Sequence, residues 1–155
     1  TDSVYYFTNA DGNQEMVIGH YNDEEEQEMF NLVNEYRSSK GLDTLEFRTT
    51  YMNEYTDLRA VETSYLWDHA RPAGWGCEYS ENIAMGNPDL KGNNPSVQQI
   101  FDAWINSSGH KANIEAVRTE NWTCISVFYK RNPIYKDGVE TGSYVYTGYW
   151  VETFK

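Results

Sequence analysis

The sequence predicts an α+β domain in which helices pack against a small antiparallel sheet. Helical periodicity concentrates between residues 23 and 104, whereas β-branched and aromatic runs dominate after residue 121. Helices and strands segregated in this way indicate α+β rather than alternating α/β order. The 155 residues, 39% of them hydrophobic, suffice for one sizeable core and are short for two. No internal repeat or low-complexity segment interrupts them.

The elements follow in order. Residues 4–18, VYYFTNADGNQEMVI, place two short aromatic and apolar runs around Asn9-Ala10-Asp11-Gly12-Asn13. That turn chemistry suits a hairpin or a loose N-terminal arm over residues 1–22, with the main domain at 23–155. A first helix starts with Asp23 as its cap and Glu26 three residues later, carries acids in its first turn, and closes at Lys40 and Gly41. Met29, Phe30, Val33 and Tyr36 line its buried face. The acidic run 24–26 needs no explanation beyond the favourable field at a helix N-terminus.

A second helix is expected over about 49–67, with Met52, Tyr55, Leu58, Glu62 and Tyr65 or Leu66 on one side. It ends before DHARPAGWGC, where Pro72, Gly74 and Gly76 force a loop. A third helix begins at Asn94-Pro95, a capping residue followed by proline at the first helical position. Val97, Ile100, Phe101 and Trp104 then form a core-facing stripe, and Ser107, Ser108 and Gly109 break the helix just before His110. WTCISVFY and SYVYTGYWVETF are two antiparallel strands, joined through Pro133 and Lys136-Asp137-Gly138.

Charge limits the partners. Twelve Lys and Arg face 24 Asp and Glu, a net charge of −12, which repels phosphate backbones and anionic bilayers. Nucleic acid is therefore excluded as a partner, and a neutral or cationic one is favoured. No stretch approaches the roughly 18 apolar residues of a membrane-spanning helix. The chain opens at Thr1 without a basic and apolar leader, as expected of a secreted protein whose signal peptide has been removed. Cys77 and Cys124 fit one disulfide or two thiols. Asn106-Ser107-Ser108 and Asn121-Trp122-Thr123 match the glycosylation acceptor pattern, which is frequent by chance.

Several segments together resemble one family. LVNEYRSSKGLDTLEF is similar to the first helix of bacterial members of the CAP superfamily, the group of cysteine-rich secretory proteins, antigen 5 and pathogenesis-related proteins, also called SCP-like extracellular proteins. DLRAVETSYLWDHARPAGWGC resembles that family's second helix and its His-x-Arg-Pro-x-Gly loop, and ENIAMG its Glu-Asn-Ile/Leu-Ala signature. AWINSSGHKANI and YWVETF resemble its Trp-x-x-Ser-x-Gly-His segment and last strand. The resemblance implies a three-layer α-β-α sandwich with a small antiparallel sheet, secretion or surface display, and a cleft of up to two His and two Glu. His69, Glu81 and His110 match the first histidine, first glutamate and second histidine. Ser107 stands where the eukaryotic Trp-x-x-Glu motif has the second glutamate, and Trp122 and Thr123 replace the usual Ile and Gly before Cys124. A secreted family also implies a Cys77–Cys124 disulfide, which would staple the two site-bearing segments and contribute about 4 kcal/mol.

The candidate cleft thus comprises His69, Glu81, His110, Ser107 and Asn113. Two imidazoles and a carboxylate form a plausible set for zinc or another divalent metal, although only the fold can unite residues so far apart in sequence. Without a metal, the same groups form a histidine pair tuned by a carboxylate, a proton donor or pH-sensitive cleft. Ser107 and Ser108 read as turn or capping residues rather than nucleophiles, and His20 as structural. Arg71 is expected to tie its loop to a carboxylate or carbonyl, Glu62 to pair with an arginine such as Arg59, and Asn82 and Asn113 to hold neighbouring backbone. The function expected is an extracellular binding module, monomeric, for a lipid, peptide or cell-wall fragment. The alternatives are a metal-dependent hydrolase that activates water at His69, Glu81 and His110, or a structural domain of a longer surface protein.

Overall fold

The two C-terminal aromatic runs fold into one long hairpin, β5 (Trp122–Lys136) and β6 (Val139–Phe154), in the computed structural model, which describes residues 1–155. Its tight turn places Asp137 at φ 53° and Gly138 at φ 79°, the left-handed pair that matches the twist of a two-residue hairpin. The register runs from Thr123 opposite Phe154 to Lys136 opposite Val139, and it slips between Pro133 and Tyr135. Proline has no N–H to give the ladder, so an irregularity there is physically expected.

Four more strands extend this hairpin into a sheet of order β1-β2-β5-β6-β4, with β3 beside β5. β1 (Ser3–Thr8) and β2 (Gln14–Tyr21) form an antiparallel hairpin, and β2 pairs with β5 through Gly19, His20 and Tyr21. Gly19 permits that approach, since a Cβ there would lie 2.1 Å from the Tyr129 carbonyl oxygen. β4 (Ser80–Gly86) pairs with β6 on the other side. The two-residue β3 (Glu46–Phe47) runs parallel to the start of β5.

The expected small-sheet three-layer α-β-α sandwich needs correction to a sheet-dominated fold. The sheet is not small: six strands make it the dominant element, antiparallel except at β3, and its central hairpin has strands of 15 and 16 residues. The expectation failed because β4, SENIAMG, is buried at consecutive positions rather than alternate ones. A strand covered on both faces has no period-2 signal.

Helices lie on both faces. α1 (Asp23–Ser39), α3 (Val97–Ile105) and α4 (Ser108–Glu115) bring Met29, Val33, Ile100, Trp104 and Ile114 onto Ile125, Val127 and Trp150. On the opposite face, Ala60 and Val61 of α2 (Tyr51–Tyr65) meet Ile83, Phe128 and Val151. Alternate residues of β5 and β6 thus serve two cores.

Local differences from the sequence reading have physical causes. Asn22, not Asp23, caps α1 by accepting from the Glu25 N–H. Ser96 and Gln99 form a complete capping box on α3, while the Asn94 amide donates to the Tyr146 carbonyl at 2.7 Å. α3 ends at Ile105 with Asn106 as its C-cap, and Ser107 is the N-cap of α4, which puts His110 inside a helix rather than in a turn. The expected Cys77–Cys124 disulfide is not formed. Cys124 is buried with its thiol donating to the Arg48 carbonyl at 2.8 Å, whereas Cys77 sits exposed and donates to the His69 carbonyl at 3.1 Å. The two sulfurs are committed to different carbonyls at different depths.

Candidate functional site

The face of α2 turned to the protein interior carries charge as well as hydrocarbon. Arg59 and Glu62 are fully buried one helical turn apart, and Arg59 Nη1 donates to Glu62 Oε1 at 2.9 Å. The same guanidinium forks onto Glu81 of β4, with Nε to Oε1 at 2.8 Å and Nη2 to Oε2 at 3.0 Å. Arg71, beyond the helix, completes the other end by donating Nε and Nη2 to the two oxygens of Glu62 at 2.9 and 3.0 Å. Two guanidiniums therefore neutralise two carboxylates in a chain of bidentate contacts, the geometry that offsets desolvation best.

This chain pins the irregular segment 66–79 from beneath. Arg59 Nη2 also donates to the Asp68 carbonyl at 3.1 Å, and Arg71 stacks between the rings of Tyr55 and Trp75, 5.0 Å from each centroid. His69 sits at the far end, its Nδ1 2.9 Å from Glu81 Oε2 and its side chain 60% exposed. A carboxylate oxygen accepts, so His69 Nδ1 is the donor in this contact.

His110 approaches from α4. Its Nδ1 lies 2.8 Å from Ser107 Oγ, and its ring stacks on Trp104 with centroids 6.4 Å apart. Burial, and then the nearby His69, lower its pKa below the ordinary imidazole value, so it favours the neutral form. Asn82 donates its amide to the His110 carbonyl at 3.0 Å and accepts from Asn113 at 2.9 Å, while Asn113 also reaches the Glu81 carbonyl at 3.3 Å. These amides dock α4 on β4. His69, Glu81, His110, Ser107 and Asn113 all lie around β4, whereas His20 is elsewhere, paired with Asp2 at 2.8 Å.

The residues do not fit a metal centre. Both Glu81 oxygens are held by Arg59, one of them also by His69, and no three His, Cys, Asp or Glu side chains converge as ligands. A carboxylate already neutralised by a buried guanidinium has little left to offer a cation. The arrangement instead presents a fixed, exposed imidazole. The sequence reading missed the aromatic surroundings. Tyr51, Trp67 and Trp75 are exposed, and a groove of about 490 Å³ runs past Tyr51, Glu54, Tyr55, Trp75 and Glu78. Their signal was available: Trp67 precedes, and Trp75 lies within, a loop punctuated by Pro72, Gly74 and Gly76.

Fold and site together define a sheet-dominated α+β domain carrying an aromatic loop on a buried ionic scaffold. No family model matches the chain, and no curated protein sequence does. Among solved structures, an outer surface protein from Borrelia burgdorferi is similar, with a TM-score of 0.58 and 16% identity over 88% of this chain and 98% of that one. At that identity the likeness establishes the fold alone. The expected membership of the CAP superfamily is accordingly withdrawn, since no family model supports the motif resemblance on which it rested.

Proposed function

We propose that the protein is an extracellular or cell-surface binding domain whose recognition face is the 66–79 segment with the groove beside it. One observation carries this reading: exposed Trp67, His69 and Trp75 stand on a loop held by the Arg71–Glu62–Arg59–Glu81 chain. Exposed indoles on a rigid support lower the ordering cost of binding. The similar solved structure bears the name of an outer surface protein, which is in keeping with display outside the cell.

The chemistry favours a neutral glycan, such as a cell-wall fragment, over a lipid surface. Indole and phenol rings stack on the apolar faces of sugars, Glu54 and Glu78 accept from hydroxyls, and the net charge of −12 repels anionic bilayers. The metal-dependent hydrolase is the weaker reading, because Glu81 is neutralised by Arg59. Calorimetric titration with chitotetraose, with phosphatidylcholine vesicles as the lipid probe, tests the proposal. Saturable chitotetraose binding that falls at least about tenfold in Trp75→Ala is expected. Heat from the vesicles alone, or equal binding by the variant, would overturn it. Zinc titration of the protein and of His110→Ala should give equal, negligible uptake.

A further inference from the structure

A second cleft lies on the open edge of the sheet. β2 pairs with β5 at Phe128, Tyr129 and Lys130, and β3 pairs with it only at Trp122 and Thr123. Between them the β5 edge is crossed by one loop contact, the Asn22 N–H to the Val127 carbonyl at 3.0 Å. A cleft of about 290 Å³ opens there, lined by Tyr21, Asp23, Glu26, Phe47, Asn53 and Asp57.

Its carboxylates lack cationic partners. None of the protein's ion pairs includes Asp23, Glu26 or Asp57. Asp57 accepts a short hydrogen bond from Ser126 Oγ, and the Tyr21 hydroxyl is used on the Asp57 main-chain carbonyl at 2.7 Å. Glu26 is only 8% exposed, and its Oε2 is buried without any hydrogen-bond partner. A favourable helix field accounts for acids in the first turn of α1 but not for a buried carboxylate oxygen without a hydrogen-bond partner. Burial, a side-chain hydrogen bond with Asp23 and the charge of Asp57 push Glu26 up to about 9, so at neutral pH it is protonated.

We propose that this cleft binds an organic cation, a primary alkylammonium whose N–H groups reach Glu26 and Asp57 between the rings of Tyr21 and Phe47. An ammonium has three donors, and the lining offers the carboxylates of Glu26 and Asp57 and the amide oxygen of Asn53. The two aromatic rings can face its charge and stem. A bare metal ion fits less well, because no three acidic side chains converge as ligands. On binding, the Glu26 carboxyl gives up its proton to solvent and the ammonium takes its place, so charge balances and one proton is released for each cation bound. This site is independent of the glycan reading.

Cadaverine, a diamine with a five-carbon stem, is a suitable probe, followed by calorimetry in buffers of different ionisation heat. Saturable binding with proton release is expected, tightening up to about tenfold per pH unit between pH 6 and 8. Glu26→Gln keeps a donor toward Asp23, so it should fold as judged by circular dichroism, yet lose at least about tenfold in affinity. Asp57→Asn should do the same. Absence of cadaverine binding at millimolar concentration, equal affinity in Glu26→Gln, or equal heats with 1-pentanol or calcium chloride would each overturn the proposal.

Discussion

Replacing Arg59 by methionine removes the centre of the buried charge chain while keeping much of its volume. Glu81 would retain only His69 as a side-chain partner, and Glu62 only Arg71. Both carboxylates are nearly or fully buried, so the variant leaves uncompensated charge in the interior. Breaking a buried pair in this way costs about 3–5 kcal/mol, a large fraction of the roughly 5–15 kcal/mol that stabilises a domain. Urea unfolding at pH 7, followed by tryptophan fluorescence, measures the loss. The double variant Arg59→Met/Glu81→Gln removes one of the orphaned charges, and it should be less destabilised than the sum of the single variants by at least about 1 kcal/mol. Arg59→Met within about 1 kcal/mol of wild type, or additivity within about 0.5 kcal/mol, would refute the claim that this network anchors the loop.

Three further outcomes follow from other parts of the fold. Ellman's reagent should titrate one thiol in the native protein, the exposed Cys77, and two after denaturation, because Cys124 is buried and its thiol is pushed up to about 12; no thiol in the denatured, unreduced protein would restore the disulfide. Glu152 is fully buried, and burial raises its carboxyl from 4.5 to about 8. Its neutral form binds a proton that the unfolded chain releases, so its contribution is present below pH 4.5 and is lost as pH rises toward 8. Glu152→Gln should therefore gain on wild type by about 3 kcal/mol between pH 4.5 and 7, and a constant difference across that window would show that the carboxyl is ionised and paired. Trp104, 1% exposed with its indole N–H on the Ile83 carbonyl at 3.1 Å, should lose about 3–5 kcal/mol on truncation to alanine; a loss under about 1 kcal/mol would contradict its place in the core.

α1 and α3 were legible because each buries a spaced stripe, whereas the short α4, which buries only Ile114, was not. Val97, Ile100, Phe101 and Trp104 are all buried on α3, as their spacing requires. The sheet was underestimated because β4 is covered on both sides, which removes alternation, whereas the aromatic and β-branched runs of β5 and β6 were legible. Ser107 misled in a different way, since only Asn106 and Ser107 separate α3 from α4, so a break is followed at once by a new start. Glu62 with Arg59 lies within one helix, three residues apart, and that spacing is visible in sequence. Arg59 with Glu81 spans 22 residues and two elements, and no local period encodes it. The edge cleft was hidden by its own bland explanation: acids at a helix start need no ligand until one of them, Glu26, is found buried and unpartnered.

The most direct test of the binding face is the set of five indole N–H resonances in a ¹⁵N-labelled sample titrated with chitotetraose. Trp67 and Trp75 are exposed beside His69, whereas Trp104 and Trp150 are buried in the core. Saturable shifts of the Trp67 and Trp75 indoles, with Trp104 and Trp150 unmoved, are predicted. Unchanged Trp67 and Trp75 resonances at saturating glycan would contradict the assignment of the 66–79 segment as the recognition face.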